Sequence, residues 1–258
     1  MSEHIFAGLD GMARAAKPRT RGLTMVVDWG SGPHAQEDLL ATGAEYCDFA
    51  KLAVGVSRLL QNDVLKDKIA RYQRAQIEAF PGGQFLEYAE IHGLVQGYFP
   101  AVVEAGYKWV EVSDNLAPVE LAWKEEMIRR ATREFGLSVL GEVGKKEGLE
   151  SNAPMVDDAR LCLEAGAKIV LLEAAELVDE RTAPEVEAVI EAIGLEKVMF
   201  ELPGPWIEGV HHHDIHRMRG ELIGKYGSDV NIGNVYPADL VALEAYRRGL
   251  GVNAGSEA

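Results

Sequence analysis

Cysteine is nearly absent from this 258-residue chain, which has only Cys47 and Cys162. Each lies in an apolar segment, so each is expected to be a buried free thiol. That excludes a disulfide-built secreted scaffold and points to the cytoplasm. Long apolar runs are missing too. No stretch approaches the roughly 18 residues that a membrane-spanning helix needs, and the basic start of the chain lacks the apolar core of a signal peptide. Positive charge is also scarce: 26 Lys and Arg stand against 41 Asp and Glu, a net charge of −15. Phosphate backbones and anionic membranes would be repelled, so neither nucleic acid nor membrane is an expected partner. A small anionic substrate would need locally gathered cations or a metal.

What is present is apolar and periodic. Hydrophobic residues make up 47% of the chain, enough for a large core, and the length suits one β/α barrel of about 250 residues. Eight short segments rich in Val, Ile, Leu and aromatics recur at 23–30, 46–53, 77–83, 108–114, 138–146, 168–174, 197–203 and 230–235. Gly106, Gly136, Gly166 and Gly227 each stand before one of them, where a preceding helix should end. Stretches such as 120–134 and 184–193 carry the 3.6-residue period of one-faced helices. Strand–helix alternation repeated eight times predicts an α/β fold, a single-domain (β/α)8 TIM barrel. Its expected limits are 21–251, with an N-terminal extension at 1–20 and a flexible tail at 252–258. An open doubly wound sheet is the alternative. It is disfavoured because Asp28-Trp29-Gly30-Ser31-Gly32-Pro33 is no dinucleotide fingerprint. A homo-oligomeric assembly is expected.

Barrel active sites lie at the C-terminal ends of the strands. Those positions supply Asp28, Lys51, Glu111 with Ser113, Glu142 with Lys145 and Lys146, Glu173, Glu201, and Asn231 with Asn234. Side chains alternate along a strand, so Glu142 and Lys146 share a face that Lys145 does not. A carboxylate inside an apolar strand, as in Phe200-Glu201-Leu202, is costly unless paired or metal-bound. Any one of them could be a structural ion pair; Glu111, Glu142, Glu173 and Glu201 together point to a metal site. Oxygen donors without a His/Cys set favour Mg²⁺ over Zn²⁺. Mg²⁺ beside a lysine suits enolate chemistry, the metal holding two oxygens while the lysine moves a proton.

The other conspicuous feature is His211-His212-His213-Asp214-Ile215-His216, followed by Arg217 and Arg219. His211 with His213, or His212 with His216, could bind a transition metal. Anion capture by His211, His213, Arg217 and Arg219 is at least as good a reading, in a long loop at 204–219 folded over the barrel mouth. A solvated surface loop is the third.

At this point the residues resemble a known family. Arg21-Gly22-Leu23-Thr24, Asp48-Phe49 with Lys51, Pro81-Gly82-Gly83, Phe85 with Glu87 and Glu111 with Ser113 all look like phosphosulfolactate synthase. So do Gly141-Glu142-Val143-Gly144-Lys145-Lys146, Phe200-Glu201 with Pro203, Asn231 with Asn234, and Leu243-Glu244 with Arg247. The similarity runs from about Arg19 to Gly251, and the family includes plant heat-stress-associated relatives without a secure enzymatic role. It implies a β/α-barrel lyase that uses Mg²⁺ to add sulfite to phosphoenolpyruvate in coenzyme M biosynthesis. Lys146 would then protonate the carbon bearing phosphate, with Lys51 and Asp28 as further catalytic candidates and Lys145, Ser113, Asn231 and Asn234 binding substrate. The departures fall at positions expected to bind the anion: Ala175 stands where the family has Arg, and Pro203-Gly204-Pro205-Trp206 lacks a family Lys. The same enolate chemistry on another acid, or a non-catalytic member, are the alternatives.

Overall fold

In a half-apolar strand the residues that face one way recur every second position, and this period builds the molecule. The computed structural model describes residues 5–6, 14–115, 119–144, 154–173, 182–204 and 207–251. Its strands are β1 (Thr24–Asp28), β2 (Phe49–Leu52), β3 (Glu78–Pro81), β4 (Trp109–Val112), β5 (Ser138–Val143), β6 (Ile169–Glu173), β7 (Val198–Glu201) and β8 (Ile232–Val235). Each falls inside one of the eight expected segments. They pair in parallel in the order β3-β2-β1-β8-β7-β6-β5-β4. That is sequence order around a nearly closed barrel, with β3 and β4 side by side at the remaining seam.

The helices among the described residues are α1 (Pro33–Gly43), α2 (Val56–Leu59), α3 (Asn62–Arg74), α4 (Gly83–Ile91), α5 (Val95–Ala105), α6 (Leu121–Arg133), α7 (Met155–Ala165), α8 (Ala183–Ile193), α9 (His212–Tyr226) and α10 (Leu240–Arg247). Gly106, Gly166 and Gly227 end three of them, as expected. No helix among the described residues is long and apolar enough to cross a membrane. Cys47 and Cys162 are free and buried, and burial pushes the Cys47 thiol up to about 12.

Alternation produces two cores. Val26, Ala50, Val110, Val139, Val170 and Val198 face the helices in the large outer core. Met25, Phe49, Phe80, Leu140, Leu171 and Met199 fill the barrel interior, with Trp109 packed against them. At about 25 cal/mol per Å² of buried apolar surface, these two layers are the main drive to fold.

The floor of the barrel is fastened by residues just before β1. Arg14 donates to Gly22 O (2.8 Å), Ser228 O (3.0 Å) and Asp229 Oδ1 (2.8 Å), and reaches Glu244. Lys17 donates to the carbonyls of Ala44, Cys47 and Ala75, and Arg19 grips Asp48 at 3.0 Å.

Candidate active site

Two residues beyond Met25, Phe49, Trp109, Leu140, Leu171 and Met199 stand Val27, Lys51, Glu111, Glu142, Glu173 and Glu201. The same inward period that fills the interior with apolar side chains therefore crowns it with one lysine and four carboxylates. Glu111, Glu142 and Glu201 are at most 3% exposed. Strand register sets Glu173 directly beside Glu201. One oxygen each from Glu142, Glu173 and Glu201 can lie within 4.8 Å of the others, the spread of a metal-ligand set.

Glu111 has a different environment. Its Oε2 lies 2.8 Å from Lys51 Nζ, and its Oε1 accepts from Gly83 N–H at 2.9 Å, at the start of α4. A Cβ on residue 83 would come within 2.9 Å of that oxygen, so only glycine lets the helix approach so closely. Lys51 Nζ also reaches Glu201 Oε1 at 2.9 Å. Burial, with Glu201 and Glu142 adding to it, pushes the Glu111 carboxyl above the ordinary carboxylate range despite Lys51. Lys51, which burial alone would push down, is held well above its ordinary value by Glu111, Glu201 and Glu142. Acid and base move in the same direction for one reason. One ammonium faces several carboxylates, so Lys51 and Glu111 both hold a proton more tightly.

Above the ring opens a cavity of about 780 Å³. Its floor is charged, while Trp29, Val54, Ile207, Val210 and Met218 make much of its wall apolar. Two of its lining residues have a left-handed backbone, Val54 (φ 43°) and Asn234 (φ 54°). For a β-branched valine this is a genuine outlier, and such strain gathers at ligand sites. Asn tolerates it better. At Asn234 it accompanies one extra residue on β8, since Thr24 pairs Ile232 but Val26 pairs Val235. Asn234 thus lines the cavity, and its buried Oδ1 has no hydrogen-bond partner among the described residues.

Other expected residues stand elsewhere. Asp28 is fully buried but is engaged outside the barrel interior. Its Oδ2 receives Lys68 Nζ (2.6 Å) and Tyr72 Oη (2.8 Å), and its Oδ1 receives Gly30 N, Ser31 N and Ser31 Oγ, each at 2.8 Å. This corrects the catalytic expectation for Asp28: alternation after Val27 turns it toward α3, where it anchors the strand. Asn231 precedes β8, at the floor. It accepts from Leu23 N (2.8 Å) and donates to Val198 O (2.8 Å), at the N-terminal and not the C-terminal ends of the strands. Ser113 is buried, donating to Glu87 beside the β3–β4 seam, and does not line the cavity.

The expected loop at 204–219 is in part a helix, since α9 begins at His212. Asp214 accepts from His211 N–H at 3.0 Å and so closes the helix end. Arg217 lines the cavity, though it is tied to Asp214 and Glu221. Arg219, on another side of the helix, lies buried over the Tyr246 ring, and neither it nor His211 or His213 lines the cavity. Lys145, Lys146, Ala175, Pro205 and Trp206 lie outside the described residues.

Two lysines were missed in the sequence. Lys124 Nζ holds Glu142 O (2.9 Å), Asp158 Oδ2 (2.7 Å) and Asp114 Oδ1 (2.9 Å), steadying the end of β5 from outside. Lys68 does the same for Asp28. The readable signal was a lysine on an apolar helical stripe: Leu65, Lys68, Ile69, Tyr72 on α3 and Lys124, Met127, Ile128, Ala131 on α6.

Comparison with known proteins agrees with this architecture. The chain is 33% identical over 250 residues to phosphosulfolactate synthase of Methanothermobacter thermautotrophicus, covering 92% of each. It is 32% identical over 243 residues to that of Methanocaldococcus jannaschii, covering 89% of this chain and 92% of the relative. Among solved structures, 3-hexulose-6-phosphate synthase from Salmonella typhimurium shares the barrel, with a TM-score of 0.54 at 11% identity over 88% of this chain and 98% of that one. The family model for (2R)-phospho-3-sulfolactate synthase (ComA) matches residues 12–253, and the chain belongs to that family.

Proposed function

We propose that this chain is a lyase that adds sulfite to phosphoenolpyruvate, with Mg²⁺ as its cofactor. The observation that carries the reading is the convergence of Glu142, Glu173 and Glu201 above a packed interior. These are oxygen donors only, which suits Mg²⁺. Bound by the three, the ion would supply positive charge for the two oxygens of an enolate-like carboxylate. Lys51 would steady charge and position Glu111 and Glu201, which it contacts at 2.8 and 2.9 Å.

The bond changes balance without a leaving group. A sulfur lone pair of sulfite forms the C–S bond at the methylene carbon, the π pair moves to the neighbouring carbon and its carboxylate, and a proton follows. Lys146 is assigned that proton because it is the lysine to which the family resemblance points. Asn234 and Arg217 line the cavity and would contact the anion.

The test is direct. Purified protein is incubated with phosphoenolpyruvate, sulfite and Mg²⁺, and phosphorus NMR follows the conversion. Conversion should need both sulfite and metal; unchanged phosphoenolpyruvate would overturn the substrate assignment. A second reading, another acid handled by the same chemistry, is favoured by the apolar cavity wall and by Ala175 in place of the family's Arg. It predicts no sulfite adduct but Mg²⁺-dependent deuterium uptake from solvent by another carboxylic acid.

A further inference from the structure

The sequence offered the histidine run as a metal binder or an anion gatherer, and the structure brings two of its histidines to a carboxylate. His212 and His216, four residues apart on α9, lie on one side of the helix with ring centroids 6.1 Å apart. Asp239, at the start of α10, comes to the same place from beyond β8, and His216 Nε2 is 3.6 Å from its Oδ1. One ligand atom from each of the three can lie within 4.8 Å of the others. Both histidines are exposed, so their rings can turn to close the roughly 2.0–2.1 Å bonds that zinc makes to nitrogen. Nothing in the carboxylate ring explains this cluster, which differs from the ring in donor type.

We infer that His212, His216 and Asp239 form a second metal site, for a borderline transition ion of the Zn²⁺ class, with water completing the shell. Two imidazoles and one carboxylate are a donor set of catalytic and surface zinc sites, whereas Mg²⁺ prefers oxygen alone. The net charge of −15 favours cation approach from any side. The ion would join α9 to α10 beside the barrel mouth and would hold the helix that carries Arg217 and Met218 against the cavity.

Arg219 makes the proposal sharper. Its Nη2 lies 3.2 Å from His216 Nδ1. A guanidinium only donates, so in this state Nδ1 accepts and the neutral ring carries its proton on Nε2, facing Asp239. Coordination through Nε2 moves that proton to Nδ1, where it meets Arg219 head-on. Arg219 therefore acts against the metal and must swing away when the ion binds.

The experiment is a calorimetric titration of the full chain with Zn²⁺ in saturating Mg²⁺, repeated with Co²⁺ to read its visible absorption. One ion per chain is expected, with the intense visible bands of low-coordinate Co²⁺. His212→Ala, His216→Ala and Asp239→Asn should each weaken binding at least about tenfold, while Arg219→Met should strengthen it. Glu142→Gln and the paired His211→Ala, His213→Ala change should leave it in place. Undiminished binding in His212→Ala and Asp239→Asn, or loss of binding in Glu142→Gln, would overturn the proposal.

Discussion

Lysine is placed against buried carboxylates in two parts of this molecule, and the two parts are balanced differently. Between strands and helices, Lys68 meets Asp28, and Lys124 meets Asp114 and Asp158, with hydroxyls and carbonyls completing the contacts. Burial would raise the Asp28 carboxyl, but Lys68 and the hydrogen bonds from Tyr72 and Ser31 together hold the group below its ordinary value. In the barrel interior a single Lys51 faces Glu111, Glu142 and Glu201, with Glu173 beside Glu201, and Lys51 and Glu111 both hold a proton more tightly. Matched charge, as between Lys68 and Asp28, fixes a strand in place. Excess charge of one sign, kept out of water, would favour a cation.

The largest expected effect falls on catalysis. Lys146→Ala should lower turnover by about two to four powers of ten with the fold intact, and Lys145→Ala should be mild. The reverse order, read from steady-state rates and circular dichroism, would show that the two lysines were assigned to the wrong faces.

Next come the lysines between strands and helices. Lys124→Met strands two carboxylates and should cost about 3–5 kcal/mol in urea unfolding. A loss below about 1 kcal/mol would erase the distinction between the regions. The interior should respond with opposite sign. Glu142→Gln removes excess negative charge, so metal-free stability should hold or rise by about 1 kcal/mol while Mg²⁺ binding by calorimetry collapses. Melting well below wild type would mean that the ring is built for stability.

Acidity separates the regions again. Asp28, its carboxyl depressed in the fold, contributes stability that is fully present above its unfolded value of about 3.9 and is lost as pH falls through its folded value. Glu111, its carboxyl raised, works the other way: from about pH 4.3 upward the fold binds the extra proton, so metal-free stability falls as pH rises toward the folded value. Denaturation midpoints across pH for Asp28→Asn and Glu111→Gln should each lose one of these slopes. The smallest effect belongs to the rim, where Arg217→Ala should weaken substrate binding severalfold and Arg219→Ala should not, as substrate affinities will report.

The barrel and the ring were legible because both depend on a period of two, which survives small errors in strand ends. The misplaced residues depended on those ends. Asn231 read as the end of a strand that begins one residue later, and Asp28 sat one position past the last inward side chain. The helix start at His212 was hidden because Asp214 closes it from inside the histidine run, making loop-like residues helical. Lys68 and Lys124 were concealed by composition: a lysine on a helix reads as solvent-facing until its apolar neighbours at three and four positions are counted.

The clasp at the barrel floor has a kinetic consequence. Arg14 binds partners that follow it by 214 to 230 residues, so its contacts span almost the whole chain. Few interactions are more distant in sequence, and distant closures are the slow ones. A chain emerging from the ribosome could pair β1 with β2 and β3 early, yet Arg14 would wait for Asp229 and Glu244 to be synthesised. Until then the first strand's free edge stays open to other chains. The ends of this protein are thus fastened last, and the interval before they meet is when it is most exposed to misassembly.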